Sequence, residues 1–303
     1  MGIGVGILEI VAPLLESIGN IVPGDTFPFF FTWEPFQRSL IAALMVTIVA
    51  GLFGLFLIMQ NLSLIGDGLA HVSFGGIAIA MVLGAASPMW YALMFSVIAS
   101  VLIHELQARD ILTGDASIAI FLTGMLALGL VALKVAGGGL TTDIEGYLFG
   151  TLLLVDAESL DMIATISLFA FVFIIMIGPS LLACTIDPMA ARVQGLPVRG
   201  IGILFAIVTA AVVVAMVQVI GALMVTALIV TPAATANQVG HSFKSCLLWT
   251  QFFGLFSVLG GLYVSAELGS GSGSSIALFA AVLFAIVTIS KSLINFSSKS
   301  NTN

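Results

Sequence analysis

The run Leu64-Ile65-Gly66-Asp67-Gly68-Leu69-Ala70-His71 sets a carboxylate and an imidazole four residues apart inside an apolar stretch. On a helix, side chains at i and i+4 meet on one face. Asp67 and His71 would therefore offer one oxygen and one nitrogen donor to the same point, half of a ligand set suited to a first-row divalent ion. If the span begins near residue 62, His71 lies roughly 14 Å into a hydrocarbon core about 30 Å thick. An aspartate at such depth costs ~2.5 kcal/mol or more on insertion scales, so it should face a bundle interior or a polar path. Two ligands do not complete a site, and a second copy of the chain across a two-fold axis would supply two more. The competing reading is a structural Asp–His pair that joins helices. Gly66, Gly68, Gly75 and Gly76 crowd the same stretch. They suit close helix packing or a moving, weakened helix equally well.

A second segment runs from Asp187-Pro188-Met189-Ala190 to Gly195-Leu196-Pro197. Asp187 can cap a short helix, Pro188 fits its first position and Gly195 can end it. Such a helix, lying between two spans, could dock a partner or be an ordinary loop. A third segment, Val225 to Asn237, carries Pro232, which permits a kink. Thr231 and Thr235 flank it and can satisfy freed carbonyls.

The elements that hold these residues follow from composition. Hydrophobic residues make up 60% of the 303 and charged residues 8%, with a mean hydropathy of +1.24. A soluble domain would carry about 25% charged residues. Apolar stretches of about 20 residues recur along the chain, the length that crosses a bilayer, and in lipid they must be helical. The fold class is therefore all-α: a polytopic membrane helix bundle with about eight or nine transmembrane helices in a single transmembrane domain, residues 1–303. Nine segments are expected: 38–60, 62–84, 88–107, 115–136, 158–183, 197–217, 219–238, 243–266 and 275–294. Residues 1–36 read as an N-terminal interfacial helix, over 3–22, with a weak span as the alternative, followed by a Pro- and Phe-rich linker. Residues 144–155 are apolar but too short to cross, which suits a re-entrant or interfacial segment.

Orientation follows from the basic residues. With an outer N-terminus, Arg109, Arg192, Arg199, Lys244, Lys291 and Lys299 face the cytoplasm, as do segment 187–197 and the C-terminus. Only Arg38 and Lys134 fall at outer ends. Ten acids, among them Asp156, Glu158 and Asp161, fall outside; solvation is the preferred reading for them, attraction of cations the other. The location is a cell membrane, multi-pass, with lipid around it. A formal charge of −7 argues against nucleic acid as a partner. Two cysteines, Cys184 and Cys246, are too few for a disulfide framework. His104-Glu105 begins a zinc-protease motif, but position 108 is Ala, so the second histidine is missing. None of the four lysines follows a glycine as a Walker A motif requires. No catalytic set is evident, and any ATP hydrolysis belongs to another chain.

Taken in this order, the motifs resemble the permease subunits of ABC-type zinc, manganese and iron uptake systems. The resemblance runs from about Phe36 to Ser290, carried by 64–71, by 187–197, and by Val219-Ile220-Gly221 through Pro232-Ala233-Ala234-Thr235-Ala236. It implies a fold similar to the vitamin B12 and siderophore importer permeases, and a homodimer joined to a cytoplasmic P-loop ATPase. It also implies an extracytoplasmic metal-binding protein that delivers Zn²⁺, Mn²⁺ or Fe²⁺ as the cargo. No permanently bound cofactor is implied. Asp67 and His71 match the family's metal-coordinating position. Asp187, Pro188, Ala190, Gly195 and Pro197 match its ATPase-coupling helix. The chain departs from the family at Met189, where an acid is usual, and at Gly75, where proline is frequent. A permease for a metal chelate and an ATP-independent metal carrier are the alternative functions.

Overall fold

The computed structural model describes residues 2–19, 21–85, 87–137, 142–150 and 155–300; the side chains of 142–145 and 295–300 lie outside that description, as do residues 151–154 of the expected re-entrant segment. The described residues form helices and no strand. Eight helices are long and apolar enough to cross a membrane. They are α3 (Glu34–Met59), α4 (Ile65–Val82), α5 (Pro88–Ala108), α6 (Gly114–Val135), α8 (Ala157–Ile186), α10 (Val198–Ile220), α12 (Phe243–Leu268) and α13 (Ser272–Ser300). The shorter helices are α1 (Ile3–Gly19), α2 (Phe29–Thr32), α7 (Thr142–Phe149), α9 (Pro188–Val193) and α11 (Val225–Val239).

The ninth expected span differs. Hydropathy reads 219–238 as one crossing segment, but α10 continues to Ile220 and the chain then breaks before the 15-residue α11. Gly221 causes the break. It sits at φ 81° and ψ 155°, a region that essentially only glycine occupies. α11 remains helical across Pro232, and Thr235 Oγ1 donates to the Thr231 carbonyl at 2.7 Å.

α3, α4 and α10 form the interior, whereas α6 and α13 bury least. Large apolar side chains such as Phe169, Ile175 and Met176 on α8, and Leu278 and Ile289 on α13, point outward. An outward apolar belt of this kind is solvated by lipid rather than water. α4 is clamped between α5 and α6 by its glycines. A Cβ on Gly75 would stand 2.7 Å from the Met125 carbonyl oxygen, and one on Gly76 would stand 2.9 Å from that of Tyr91. A Cβ on Gly68 would stand 2.6 Å from Ile118 Cγ2. The Ser73 and Ser96 hydroxyls join α4 to α5 at 2.8 Å. Close packing is thus a present role of these glycines.

α1 lies against α8: Val5 N–H donates to Asp161 Oδ1 at 2.9 Å. Pro13 is accommodated inside α1, which is not among the eight long spans. The Phe-rich linker is an aromatic cluster in which Phe27 packs on Phe30, Phe31 and Tyr263. Glu267 at the end of α12 anchors it by accepting the N–H groups of Asp25, Thr26 and Phe27 at 3.2, 3.1 and 3.0 Å.

The bundle has two distinct ends. At one, α9 links α8 to α10, and Gln60 just past α3 donates to Thr185 near the end of α8 at 3.1 Å. Arg199 and Arg109 meet there on Glu105. At the other end, three backbones cross at glycines. The Tyr147 and Leu148 carbonyls, at the end of α7, accept the N–H groups of Ala222 and Leu223 at 2.9 and 3.1 Å. A Cβ on Gly273 would stand 2.2 Å from the Ile220 carbonyl oxygen.

Candidate metal centre

Asp67 and His71 lie in the first two turns of α4, on the helix that is packed from both sides. Asp67 is two residues and His71 six residues beyond Ile65. Along the helix, His71 is therefore about 9 Å from the start, shallower than the 14 Å expected, because the chain turns at 60–64 before helix begins. His71 is 8% exposed and Asp67 half-buried. Asp67 Oδ1 and His71 Nδ1 are both buried without a hydrogen-bond partner.

Burial and want of partners bear on the two sequence readings, the metal ligand and the structural pair. A structural Asp–His pair would hold itself together or hold a neighbouring helix, because an unsatisfied buried acceptor costs ~1–3 kcal/mol. Neither atom makes a hydrogen bond, to the other or to a neighbouring helix. They are a carboxylate oxygen and an imidazole nitrogen on one face, the donor types that suit a first-row divalent ion. Among the described residues, no third His, Cys, Asp or Glu joins them to make a three-ligand group. Within one chain the pair thus offers two donor atoms.

A third unpartnered atom lies against α4 at Gly66. Thr226 Oγ1, in the first turn of α11, is buried without a hydrogen-bond partner. A Cβ on Gly66 would stand 3.0 Å from it. The sequence marks the segment 225–237 by Pro232, Thr231 and Thr235 rather than by Thr226. Only the break at Gly221, which starts α11 beside α4, brings Thr226 to this place.

The second group of expected residues does not approach the first. Asp187, Pro188, Ala190, Gly195 and Pro197 form a separate exposed feature at one end of the bundle. Asp187 caps α9, with Oδ1 accepting the N–H groups of Met189 and Ala190 at 3.0 and 2.9 Å. Pro188 is the first helical residue, Gly195 turns the chain at φ 84°, and Pro197 precedes α10. Ala191 is buried, whereas Met189 is 68% and Val193 89% exposed. Immediately beyond, Arg199 grips Glu105 of α5 with its Nη2 2.6 and 2.7 Å from the two carboxylate oxygens. His104 packs against Gly202 with Nε2 buried and unpartnered, and His241 is exposed.

A lipid-facing bundle of this kind, with an unsatisfied acid–imidazole pair inside it and a short capped helix at one end, is a polytopic membrane permease. The chain belongs to the ABC 3 transport family, whose pattern matches residues 32–291. It is 33% identical to a manganese transport system membrane protein, MntC, of Halalkalibacterium halodurans, over 85% of this chain and 89% of that one. It is 32% identical to a manganese import system permease, ScaB, of Streptococcus parasanguinis, over 82% and 88%. Among solved structures it is similar to PsaBC from Streptococcus pneumoniae in complex with Fab, at 30% identity and a TM-score of 0.75, over 86% of this chain and 92% of that one. The fold also matches an inward-facing transporter described as of the metal-chelate type, at 17% identity and a TM-score of 0.72, over 93% and 97%.

Proposed function

We propose that this chain is the membrane-spanning subunit of an ATP-driven importer of divalent transition metal ions, with Mn²⁺ favoured over Zn²⁺ and Fe²⁺. The observation that carries the reading is the buried pair in α4, Asp67 Oδ1 and His71 Nδ1, on one helix face with neither atom satisfied. The names of the relatives favour manganese. Mn²⁺ binds N/O ligands most weakly of the three ions, so selection for it rests on geometry and supply rather than donor affinity.

Two copies of the chain would bring two Asp–His pairs together and supply four ligands to one ion. A separate P-loop ATPase would dock on α9, whose exposed Met189 and Val193 offer an apolar contact. Its closure would switch the path at Asp67 and His71 between the two sides of the membrane. An extracytoplasmic metal-binding protein would deliver the ion. The basic residues support the orientation: Arg109, Arg192, Arg199, Lys244 and Lys291 gather at the α9 end, which by the positive-inside bias faces the cytoplasm.

The test is uptake of radioactive manganese by cells that depend on this permease together with its ATPase and delivery protein. Asp67→Ala should abolish uptake while the protein stays at wild-type level in the membrane. Wild-type uptake by that variant would refute the site.

A further inference from the structure

A cleft of about 770 Å³ opens at the end of the bundle opposite α9, between the starts of α1, α5 and α8 and the last turn of α10. Asp156, Glu158 and Asp161 line it, and none of the described residues lining it is basic. Each carboxylate is oriented by one neutral donor. Asp156 Oδ1 accepts Ser159 N–H at 2.8 Å, Glu158 Oε1 accepts the Ser87 hydroxyl at 3.1 Å, and Asp161 Oδ1 accepts Val5 N–H at 2.9 Å. These bonds hold the groups in place, and no basic side chain among the described residues lining the cleft compensates their charge.

An independent feature points to an occupant. Gln218, on α10, also lines the cleft and is 3% exposed. Its Nε2 donates to the Ser159 hydroxyl, but its Oε1 is buried with no partner. A buried amide oxygen in a cleft that also holds three carboxylates is an open acceptor of the kind hard cations take, since they bind carboxylate and amide oxygens alike. No three of the described acids, histidines or cysteines stand close enough to coordinate one ion directly. An ion here therefore keeps most of its water shell, and the site is weak and exchangeable.

Gln218 also lies two residues before the end of α10. Past the break, the next unsatisfied buried oxygen along the chain is Thr226 Oγ1, which lies against Gly66 of α4. We propose that the cleft is a staging site for a hydrated divalent cation, in which Asp156, Glu158 and Asp161 supply the charge and Gln218 Oε1 the innermost acceptor. The proposal rests on the reading of this chain as a divalent-metal permease.

The test is Mn²⁺ titration of the full-length permease in nanodiscs of zwitterionic lipid at physiological salt, with free Mn²⁺ read by electron paramagnetic resonance. The triple variant Asp156→Asn, Glu158→Gln, Asp161→Asn keeps one acceptor oxygen on each side chain and removes the charge. It should lose a weak Mn²⁺ that the wild type binds, and keep the binding that depends on Asp67. Asp67→Ala should show the reverse. Gln218→Leu should weaken the cleft ion about tenfold, the effect of one lost charge-assisted hydrogen bond. Equal Mn²⁺ binding by the wild type and the triple variant would overturn the staging site. Failure of the metal reading would show separately, as normal uptake by Asp67→Ala.

Discussion

Gly221 and Gly150 cross at backbone contact: a Cβ on Gly221 would stand 2.2 Å from the Gly150 nitrogen. Both residues have positive φ, 81° and 78°. The crossing fastens the end of α7 to the break between α10 and α11, and the break sets where α11 begins. Gly221→Ala meets strain and collision together. Strain alone costs ~1–3 kcal/mol, and the atoms it strikes are backbone, which cannot rotate away. The expected outcome is a clear fall in the thermal midpoint of the purified protein, read by fluorescence-detected size exclusion. Gly178→Ala, where the added methyl meets nothing within 4 Å, should leave the midpoint in place.

The cap on α9 gives a second prediction. Asp187 holds two N–H groups of a six-residue helix that has little else to fix it. Asp187→Ala removes a cap worth ~1 kcal/mol, and Asp187→Asn keeps an acceptor in place. Stimulation of ATP hydrolysis by the reconstituted permease should fall for the alanine variant and survive in the asparagine variant. Equal activity in both would mean that the helix does not transmit docking.

The parts legible in the sequence are those whose geometry is local. Asp67 and His71 share a face because they are four residues apart, and Asp187, Pro188 and Gly195 mark both ends of α9 by their own backbone preferences. What escaped depends on contacts between residues far apart in the chain. Hydropathy reads 219–238 as one span because it counts apolar side chains, whereas the break depends on the φ of Gly221 and on Gly150 lying against it. That Gln218 shares a cleft with the acids at 156, 158 and 161 is visible only in space, across the α8–α10 contact. The unsatisfied state of Asp67 and His71 is likewise a property of their surroundings, which no spacing encodes.

Arg199 lies two residues beyond Pro197, where the α9 segment ends, and holds Glu105 at the end of α5. α5 in turn packs on α4 and is bonded to it through Ser96 and Ser73. A displacement of α9 thus has a rigid route toward the helix that carries Asp67. The Arg199 side chain is largely exposed, so Arg199→Gln should cost the fold under ~1 kcal/mol. Manganese transported per ATP hydrolysed in proteoliposomes should nevertheless fall severalfold. Arg199→Lys should not rescue it, because a single ammonium does not reproduce the two-oxygen grip. An unchanged ratio in Arg199→Gln would show that the pair is a surface contact and no more.

Metal-linked stability separates the centre from an accidental pair of polar groups. An ion bound only by the folded protein raises stability by ~2.7 kcal/mol at a hundred times its dissociation constant. Mn²⁺ should therefore raise the thermal midpoint of the wild-type permease, and a chelator should reverse the gain. Asp67→Asn keeps the shape of the side chain and removes its charge, the costly feature at that depth. Its midpoint without metal should equal or exceed that of the wild type, and its response to Mn²⁺ should be largely lost. His71→Gln should behave in the same way, since Nδ1, like Asp67 Oδ1, has no partner to lose in the metal-free protein. A lower metal-free midpoint in both variants would instead mark the pair as structural.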